Sequence, residues 1–493
     1  YILLFINEKL FAVLKMIKTT ELLYIIPMLI VASSAIIALF AGIIFRKSKV
    51  PVYAFSLASA AASLISALFN ISKDVIIFNE LLRINPLSSA FAITAITGMV
   101  ITFLASYDYL DRLGINYGEY YSLLLFALLG MLIMIYGNDM LVVFLGLETM
   151  SFCFYILAGM MRNRMKSNES AMKYFLLGAF MTGFLLYGVS LIYGVTGSTN
   201  IGKIFASFAN YKSAVFLTGI SLFLIGFFFK LGIFPFQMWI PDVYEGAPTV
   251  VSGMMAAAGK VSAVCVLVNV FSYMNFSEYR LMFAILATLT MLYGNIAALT
   301  QTNLKRLLAY SSIASAGYIL VGFTAMDDFA YRGISFYLLA YVFMQLGAFI
   351  VVSAYEKSTA DGKDFANVTF DDYKGLAKKS PFAAIMMTIF LFSLAGIPPL
   401  AGFWGKYYLF YAAIKQNLIW LSIVAILLSV VSVYYYLKVI VYMWFHDAVE
   451  TEGEPRVIIK PLVTASLVIC LLGTLLFGFY PQLFFSVFSF VIK

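Results

Sequence analysis

A small set of charged residues lies inside long apolar stretches of this sequence, where ionisable side chains are rare. The set consists of Glu148, Lys173, Lys230, Lys260, Lys406 and Lys438. A charge near the centre of a bilayer costs roughly 2.5–3.5 kcal/mol on insertion scales. Burial favours the neutral amine of lysine and a nearby carboxylate favours the ammonium, so such residues can bind and release a proton near neutral pH. Because lysine offers Na⁺ no oxygen ligand, the set indicates a membrane path for protons rather than sodium ions.

The position of each charged residue within its apolar span indicates whether a structural or a functional role explains it better. Lys260 is the deepest, with mostly small or apolar neighbours on both sides, so its ammonium group cannot easily reach a membrane surface. Glu148 lies in the middle of an apolar span, and Lys230 directly precedes a predicted helix break. For these three residues, a role in proton transfer is favoured over a buried structural charge.

The remaining lysines of the set leave both explanations open. Lys406 follows a second predicted break, where it either caps the freed carbonyl groups or titrates. Lys173 and Lys438 lie nearer to helix ends, so their side chains could equally extend to the interface. The tyrosines at 434–436, beside Lys438, are interpreted as interfacial packing rather than chemistry.

The composition is that of an integral membrane protein. Of the 493 residues, 63% are hydrophobic and only 11% are charged, whereas soluble chains average about 25% charged residues. The net charge of +8 could suggest a nucleic-acid partner. However, the basic residues lie in short loops between apolar spans, which is typical of membrane topology. The lipid bilayer is therefore the expected partner, and nucleic-acid binding is disfavoured.

Metal and nucleotide chemistry also have little support in the sequence. Cys153, Cys265 and Cys470 lie within apolar spans, and the chain has one histidine, His446. Without a cluster of cysteine and histidine, neither a structural metal nor a haem is expected. The glycine-rich motifs that hold nucleotide phosphates are also absent. We therefore expect this chain to carry no metal and no cofactor of its own.

Apolar stretches predict an all-α membrane protein with about fourteen transmembrane helices of about 20 residues each. The spans are predicted near 22–45, 52–70, 87–106, 119–137, 140–160, 171–195, 214–236, 248–272, 281–300, 304–325, 332–356, 382–409, 417–445 and 460–490. No long hydrophilic segment divides them, so residues 16–493 are expected to form a single transmembrane domain. Because Met16 resembles a natural start, residues 1–15 are expected to be either an N-terminal extension or the result of an ambiguous gene start.

The distribution of lysine and arginine predicts the orientation. One set of alternating connections, which includes Arg162, Arg164, Lys378 and Lys379, is richer in basic residues than the other set. Basic loops tend to remain in the cytoplasm. We therefore expect this set to face the cytoplasm and both termini to lie outside, in the inner (plasma) membrane of the cell.

Two spans are interrupted by the same short pattern, Gly-Ile-x-Pro. The seventh span contains Gly232 and Pro235, and the twelfth contains Gly396, Pro398 and Pro399. Such breaks persist in a membrane only where protein or a cavity satisfies the freed backbone groups. Paired interrupted helices in two halves of a chain point to an inverted-repeat transporter and its ion path. Helices 4–8 and 9–13 are therefore predicted to form two inverted five-helix repeats, each with a broken helix.

Four longer motifs resemble the antiporter-like membrane subunits of respiratory complex I. They read KLGIFPF at 230–236, WIPDVYEGAPT at 239–249, NLKRLLAYSS at 303–312 and AGIPPLAGF at 395–403. The resemblance extends over 16–493, and it implies residues of the proton path by matching positions. These residues are Glu148, Lys173, Lys230, Lys260, Lys305 and Lys406. Related subunits often carry a histidine where this chain has Ser315, so any contribution of an imidazole is absent there.

The resemblance also implies a function. The chain would be the proton-translocating membrane subunit of a NADH:quinone oxidoreductase, and protons would enter near Lys230 or Lys260 and leave by way of Lys406. The Glu148–Lys230 pair would act as the gate. FMN, iron-sulfur clusters and quinone would belong to partner subunits, and paralogous antiporter-like subunits would lie beside this chain in the membrane. The alternatives are a subunit of a multi-subunit cation/proton antiporter or membrane-bound hydrogenase, and a purely structural subunit whose charges lock neighbours together.

Overall fold

The computed structural model describes residues 19–45, 48–206, 213–273, 279–359, 364–447 and 459–488. The predicted N-terminal extension at 1–15 lies outside these residues. Within them, nearly all regular structure is helical. The helices of the first half are α1 (Thr19–Tyr24), α2 (Ile26–Ile44), α3 (Val50–Leu68), α4 (Pro86–Arg112), α5 (Gly118–Tyr136), α6 (Met140–Ala158), α7 (Met165–Thr196), α8 (Ile201–Ala206), α9 (Ala214–Leu231), α10 (Trp239–Gly246), α11 (Thr249–Ala256) and α12 (Ala258–Ser272).

The second half continues the same architecture. Its helices are α13 (Arg280–Leu299), α14 (Leu304–Phe323), α15 (Asp328–Tyr355), α16 (Leu376–Lys379), α17 (Pro381–Ala395), α18 (Ala401–Lys415), α19 (Ile419–Phe445), α20 (Pro461–Phe479) and α21 (Gln482–Val487). Two antiparallel hairpins lie in the connections. They pair β1 (Val75–Ile77) with β2 (Leu82–Ile84), and β3 (Lys357–Ser358) with β4 (Phe365–Ala366).

Short polar side chains and prolines define where the long helices begin. Asn85 accepts from the Ser88 backbone at the start of α4, while Ser88 bonds back to the Asn85 backbone, which forms a capping box. Asp139 and Asn303 accept hydrogen bonds from N–H groups in the first turns of α6 and α14. Helices α2, α3, α4, α17 and α20 carry proline in the first turn, where its missing N–H costs no hydrogen bond.

The number of membrane spans agrees with the sequence prediction. Within the described ranges, 13 helical stretches are long and apolar enough to cross a membrane, or 14 if the bent segment that includes Pro381–Ala395 counts as one span. The all-α prediction is therefore confirmed, and the hairpins are confined to connections. Helices α11, α12, α14 and α15 form the buried centre, whereas α2, α3, α7 and α20 expose more of their apolar surface.

Several predicted boundaries were wrong. The sixth span begins at Met165 and not near 171, because a polar first turn precedes its apolar part. The last ends at Phe479 before a turn leads into α21, whereas the ends of α9 at Leu231 and of α17 at Ala395 lie at the two predicted breaks. The eighth, predicted as continuous over 248–272, is broken at Ala257. Hydropathy detects apolar stretches, but it does not detect a change of backbone direction within one of them.

Candidate functional site

Lys230 lies in the last turn of α9, beside the first predicted break. The helix ends because Gly232 adopts the left-handed conformation, with φ 74°, which glycine reaches without steric cost. The Lys230 side chain is 8% exposed. Its Nζ donates to Ser151 Oγ at 2.9 Å and to the Tyr174 hydroxyl at 2.7 Å. Neutral oxygens from α6 and α7 therefore solvate the ammonium group.

The backbone groups freed at this first break find partners inside the bundle. Trp239 Nε1 donates to the carbonyl oxygen of Phe229 at 2.9 Å. The N–H of Phe234 donates to Thr290 Oγ1 at 3.0 Å, and Pro235 has no N–H to satisfy. A broken helix is tolerated in a membrane when surrounding protein supplies such partners, so the break can hold Lys230 at depth.

Lys260 lies in the first turn of α12, immediately after the break that the sequence analysis missed. Ala257 separates α11 from α12 with φ −96° and ψ −83°, and neither glycine nor proline occupies its position. The Lys260 side chain is 1% exposed. Its Nζ donates to the backbone oxygen of Ser312 at 2.5 Å and to Ser312 Oγ at 2.6 Å. The deepest predicted lysine is thus held by a neutral serine of α14.

Lys406 lies in α18 and reaches back to the break after α17. Gly396, with φ 87°, ends α17. Lys406 Nζ donates to the carbonyl oxygens of Leu394 at 2.8 Å and Ala395 at 3.0 Å, and to Ser429 Oγ at 2.8 Å. Lys406 therefore caps carbonyl groups freed at the break, which is one of the two roles expected from the sequence. Its side chain is 4% exposed.

Glu148 does not contact Lys230 directly. Within the described part of the chain, the two side chains form no ion pair, and Glu148 Oε1 is buried without a hydrogen-bond partner. Glu148 is half-buried on a face of α6 where Leu145 is 60% and Phe152 is 52% exposed. The carboxylate that was expected to pair with Lys230 therefore lies on the α6 face that carries exposed apolar side chains, with one oxygen buried.

Lys173 belongs to a surface cluster of ion pairs. It is 41% exposed, and its Nζ lies 2.6 Å from a carboxylate oxygen of Glu169 and 2.6 Å from one of Asp242. Arg306 also pairs with Asp242, at 2.9 Å, and with Glu245 at 2.7 Å. These contacts join the beginnings of α7 and α14 to α10. Lys173 thus lies at the end of the bundle and not beside the buried lysines.

Lys305 forms a completely buried ion pair that sequence reasoning did not identify. Its Nζ lies 3.1 Å from Glu356 Oε1, and both side chains are 0% exposed. The Tyr109 hydroxyl and Thr249 Oγ1 donate to Glu356 Oε2 at 2.5 and 2.7 Å. Lys305 Nζ also donates to the Ala247 carbonyl oxygen at 2.8 Å. The pair therefore joins α4, α11, α14 and the end of α15.

Glu356 and two tyrosines are the functional candidates that the sequence did not reveal. Glu356 follows a long apolar helix directly and precedes Lys357, so it resembled an ordinary interfacial charge. Tyr435 and Tyr436 are 1% and 2% exposed, whereas Tyr434 is 62% exposed. The interfacial interpretation of this run therefore fits only Tyr434. Helical spacing could have indicated this difference in burial, since adjacent residues of a helix point in different directions.

Fold and site together define a multi-pass helical membrane protein with lysines buried at interrupted helices. A family model described as NADH:quinone oxidoreductase/Mrp antiporter, transmembrane, matches residues 137–432. The chain belongs to this family. It is 45% identical over 413 residues to the NADH-quinone oxidoreductase subunit N of Trichlorobacter lovleyi, covering 82% of this chain and 83% of that relative.

Solved structures support the same relationship. A chain of respiratory complex I from Thermus thermophilus with bound aureothin is 31% identical, with a TM-score of 0.79 over 93% of this chain and 98% of that one. A chain of the membrane-bound sulfane sulfur reductase, an archaeal respiratory membrane complex, has a TM-score of 0.84 at 23% identity, over 95% of this chain and 96% of that one. The second likeness shows a shared fold alone.

Proposed function

We propose that this chain is a proton-translocating membrane subunit of a NADH:quinone oxidoreductase. The observation that carries the proposal is the position of Lys230, Lys260 and Lys406, each buried beside a helix break and hydrogen-bonded to neutral oxygens. No described carboxylate forms an ion pair with any of the three. Each lysine can therefore lose its proton without leaving an unpaired anion in the interior.

The proton is the ion that suits this set of residues. A buried ammonium group repels another cation and supplies none of the oxygen ligands that hard cations require. An amine that is solvated by a hydroxyl or a carbonyl can instead exchange a proton with its surroundings. Hydroxyl groups such as those of Ser151, Tyr174, Ser312 and Ser429 can accept a hydrogen bond from the lysine and donate another onward.

The proposed path runs between the interrupted spans. Protons enter from the cytoplasm near Lys230 or Lys260 and leave to the outside by way of Lys406. Glu148 acts as the gate through its distance from Lys230, because an approaching carboxylate favours the ammonium form and a departing one favours the amine. Lys173 and Lys305 lie in the charged end of the bundle, where they position the α7 and α14 ends of the path.

Two five-helix repeats are proposed to build the path. Spans 4–8 comprise α5 to α12, and spans 9–13 comprise α13 to α19. In support, both predicted breaks end with the same backbone pattern, in which the residue after a left-handed glycine bonds back into the helix. Ile233 N donates to Phe228 O at 2.9 Å, and Ile397 N donates to Phe392 O at 3.0 Å. Equivalent breaks in two halves are typical of inverted-repeat transporters.

The redox chemistry is assigned to partner subunits. We propose that FMN, iron-sulfur clusters and quinone are bound there, and that paralogous antiporter-like subunits and lipid contact the outward faces of this chain. Large exposed apolar side chains on α6 and α7, including Phe152, Ile156, Met172 and Phe180, suit such contacts. The proposed location is the plasma membrane, with both termini outside the cytoplasm.

Substitution of Lys260 tests the proposal. Lys260→Met keeps length and apolar bulk, and it removes the cost of burying an ammonium group, so the complex should assemble normally. Lys260→Arg keeps the charge, but a guanidinium with a pKa above about 12 cannot release its proton in each cycle. We expect NADH-driven proton pumping to fall at least about tenfold in both variants, in line with the loss of a proton-transfer group.

The measurement is acidification of inverted membrane vesicles that contain matched amounts of the complex. Lys438→Met is the control, because Lys438 is only half-buried and its Nζ lies 5.3 Å from the Phe370 ring. This control should pump normally. Full pumping by Lys260→Met would exclude Lys260 from the path, and full pumping by Lys260→Arg alone would indicate a fixed positive charge.

A further inference from the structure

Two tyrosines of α19 lie inside the bundle between Lys260 and Lys406. The side chains of Tyr435 and Tyr436 are almost completely buried, and their ring centroids are 4.5 Å apart. Aromatic packing alone would be served equally well by phenylalanine. A buried hydroxyl costs free energy unless it is hydrogen-bonded, so the partners of these two hydroxyl groups indicate what the tyrosines contribute.

On the Lys260 side, the tyrosines connect to α14. The Tyr436 hydroxyl lies 2.5 Å from Ser311 Oγ. The next residue, Ser312, accepts hydrogen bonds from Lys260 Nζ through both its backbone oxygen and its Oγ. Ser311 and Ser312 are 1% and 0% exposed. Tyr436 therefore contacts the serine that directly precedes Ser312, the residue that solvates the Lys260 ammonium group.

On the Lys406 side, the tyrosines connect through a buried asparagine of α13. The Tyr435 hydroxyl donates to Asn295 Oδ1 at 3.1 Å. Asn295 Nδ2 lies 3.3 Å from the Tyr318 hydroxyl, to which it donates. The centroid of the Tyr318 ring is 4.7 Å from Lys406 Nζ. The polar chain thus continues from the tyrosine pair to the environment of Lys406.

Neighbouring groups make the region suitable for ordered water. The hydroxyl groups of Tyr337 and Tyr341 on α15 are buried without a hydrogen-bond partner among the described residues. Tyr337 also packs against Gly405, next to Lys406. Buried polar groups of this kind normally bind internal water, and water can bridge hydroxyl groups that are too far apart for direct contact.

We propose that Tyr435 and Tyr436 pass protons between Lys260 and Lys406, and that Asn295 holds the Tyr435 and Tyr318 hydroxyls in line. This proposal rests on the proposed proton-translocating function. Each hydroxyl oxygen accepts a proton on one side while its own proton leaves on the other, so no net charge remains. The amide of Asn295 does not carry the proton, and water is the carrier across that step.

The proposal also accounts for a missing imidazole. This chain has Ser315 at the position where related subunits often have histidine, and its only histidine is His446, which follows the last residue of α19. Ser315 is buried on α14 and offers a hydroxyl group in place of an imidazole. Hydroxyl groups on α19 therefore supply the connection that an imidazole on α14 does not.

Conservative substitutions at adjacent positions test the tyrosine link. Tyr435→Phe and Tyr436→Phe each remove one oxygen atom and keep the ring, while Tyr434→Phe does the same at an exposed position of the same helix. In vesicles with matched complex content, we expect each buried variant to lose at least about tenfold in NADH-driven pumping. The residual pumping should show a larger solvent deuterium isotope effect. Tyr434→Phe should leave both quantities unchanged.

The outcomes separate this proposal from the proposed function. Normal pumping by Lys260→Met in the same experiment would exclude Lys260 from the proposed path, and the tyrosine link would lose one of its two ends. Impaired pumping by Lys260→Met, with normal pumping and an unchanged isotope effect in both buried tyrosine variants, would overturn the tyrosine link alone. If either tyrosine variant does not assemble, Asn295→Leu tests the same link, because it removes the amide that aligns Tyr435 and Tyr318. Full pumping by that variant would also reject the link.

Discussion

The buried lysines are of two kinds, which differ in the groups that their side chains contact. Lys230, Lys260 and Lys406 donate to hydroxyl and carbonyl oxygens, so either protonation state can be accommodated. Lys305 instead shares its interior site with Glu356, and loss of its proton would leave a buried carboxylate without its counter-ion. The first three are therefore suited to a relay, whereas Lys305 is suited to a fixed contact between helices.

Glu356→Ala should destabilise the protein strongly. Removal of one partner from a buried ion pair leaves the other charge uncompensated and typically costs about 3–5 kcal/mol. The double variant Lys305→Met/Glu356→Met removes both charges and should recover most of that loss. The measurement is the midpoint temperature for heat-induced loss of the assembled complex.

The surface pair of Lys378 and Asp447 provides a control for the Glu356 experiment. Its atoms are 2.8 Å apart, but the side chains are 69% and 94% exposed. Asp447→Ala should leave the midpoint temperature nearly unchanged, because exposed pairs contribute little. If the double variant at Lys305 and Glu356 were as unstable as Glu356→Ala, the two charges would not stabilise each other.

Among the secondary-structure elements, the interrupted helices determine where the buried lysines lie. α9 and α17 both end at a glycine with positive φ, and Lys230 and Lys406 lie beside these ends. The carbonyl oxygens at the end of a helix carry partial negative charge, which favours a nearby cation. At the second break, Lys406 contacts two of these carbonyl oxygens directly. The second break therefore supplies the polarity that Lys406 needs, whereas Lys230 finds its partners on α6 and α7.

Gly396→Ala should impair proton transfer beyond its effect on stability. Alanine in the left-handed conformation costs about 1–2 kcal/mol. A Cβ at Gly396 would also lie 3.0 Å from Lys406 Cδ and 3.4 Å from Nζ, so the lysine would have to shift. Gly197→Ala is a matched control, because Gly197 also has positive φ and ends a helix, but nothing lies within 4 Å of its added Cβ.

Both glycine variants should lower the midpoint temperature of the complex by a similar amount. Only Gly396→Ala should reduce the number of protons pumped per NADH oxidised, as measured in vesicles with matched complex content. Equal pumping by the two variants would show that the position of Lys406 tolerates the change at the break.

In the molecule as a whole, several loops and helix ends that carry charged residues meet at one end of the bundle. Arg112 donates to the carbonyl oxygens of Ser353 and Ala354. Lys166 pairs with Asp364 at 3.1 Å. These contacts join connections that the sequence analysis assigned to the same side of the membrane. The alternation of spans is therefore consistent with the packing, and the basic character of this end favours a cytoplasmic location.

Reporter fusions can test this orientation. A reporter placed after Lys379 should be cytoplasmic, and reporters placed after Lys415 or Lys493 should lie outside. Alkaline phosphatase, which is active only outside the cytoplasm, and a fluorescent protein that matures in the cytoplasm give opposite signals at each position. The reverse pattern at all three positions would exchange the proposed sides of proton uptake and release.

Local sequence patterns were sufficient to predict the membrane class, the approximate spans and the deepest lysines. Those features depend on local properties, since a run of about 20 apolar residues is sufficient to predict a span. The pattern Gly-Ile-x-Pro likewise predicted two breaks. Glycine permits left-handed backbone angles and proline removes a hydrogen-bond donor, wherever in a chain they occur. Lys260 was prominent for the same reason, as its surroundings along the chain are apolar or small.

The partner of each charged side chain, in contrast, depends on how the helices pack. Glu356 and Lys305 are far apart in the chain, and their pairing depends on how α14 and α15 pack. The break at Ala257 has no glycine or proline at that position, so the Gly-Ile-x-Pro pattern could not predict it. Tyr434 and Tyr436 have the same chemistry and neighbouring positions, yet one is exposed and the other is buried. The rotation of α19 within the bundle makes that difference, and no local pattern specifies it.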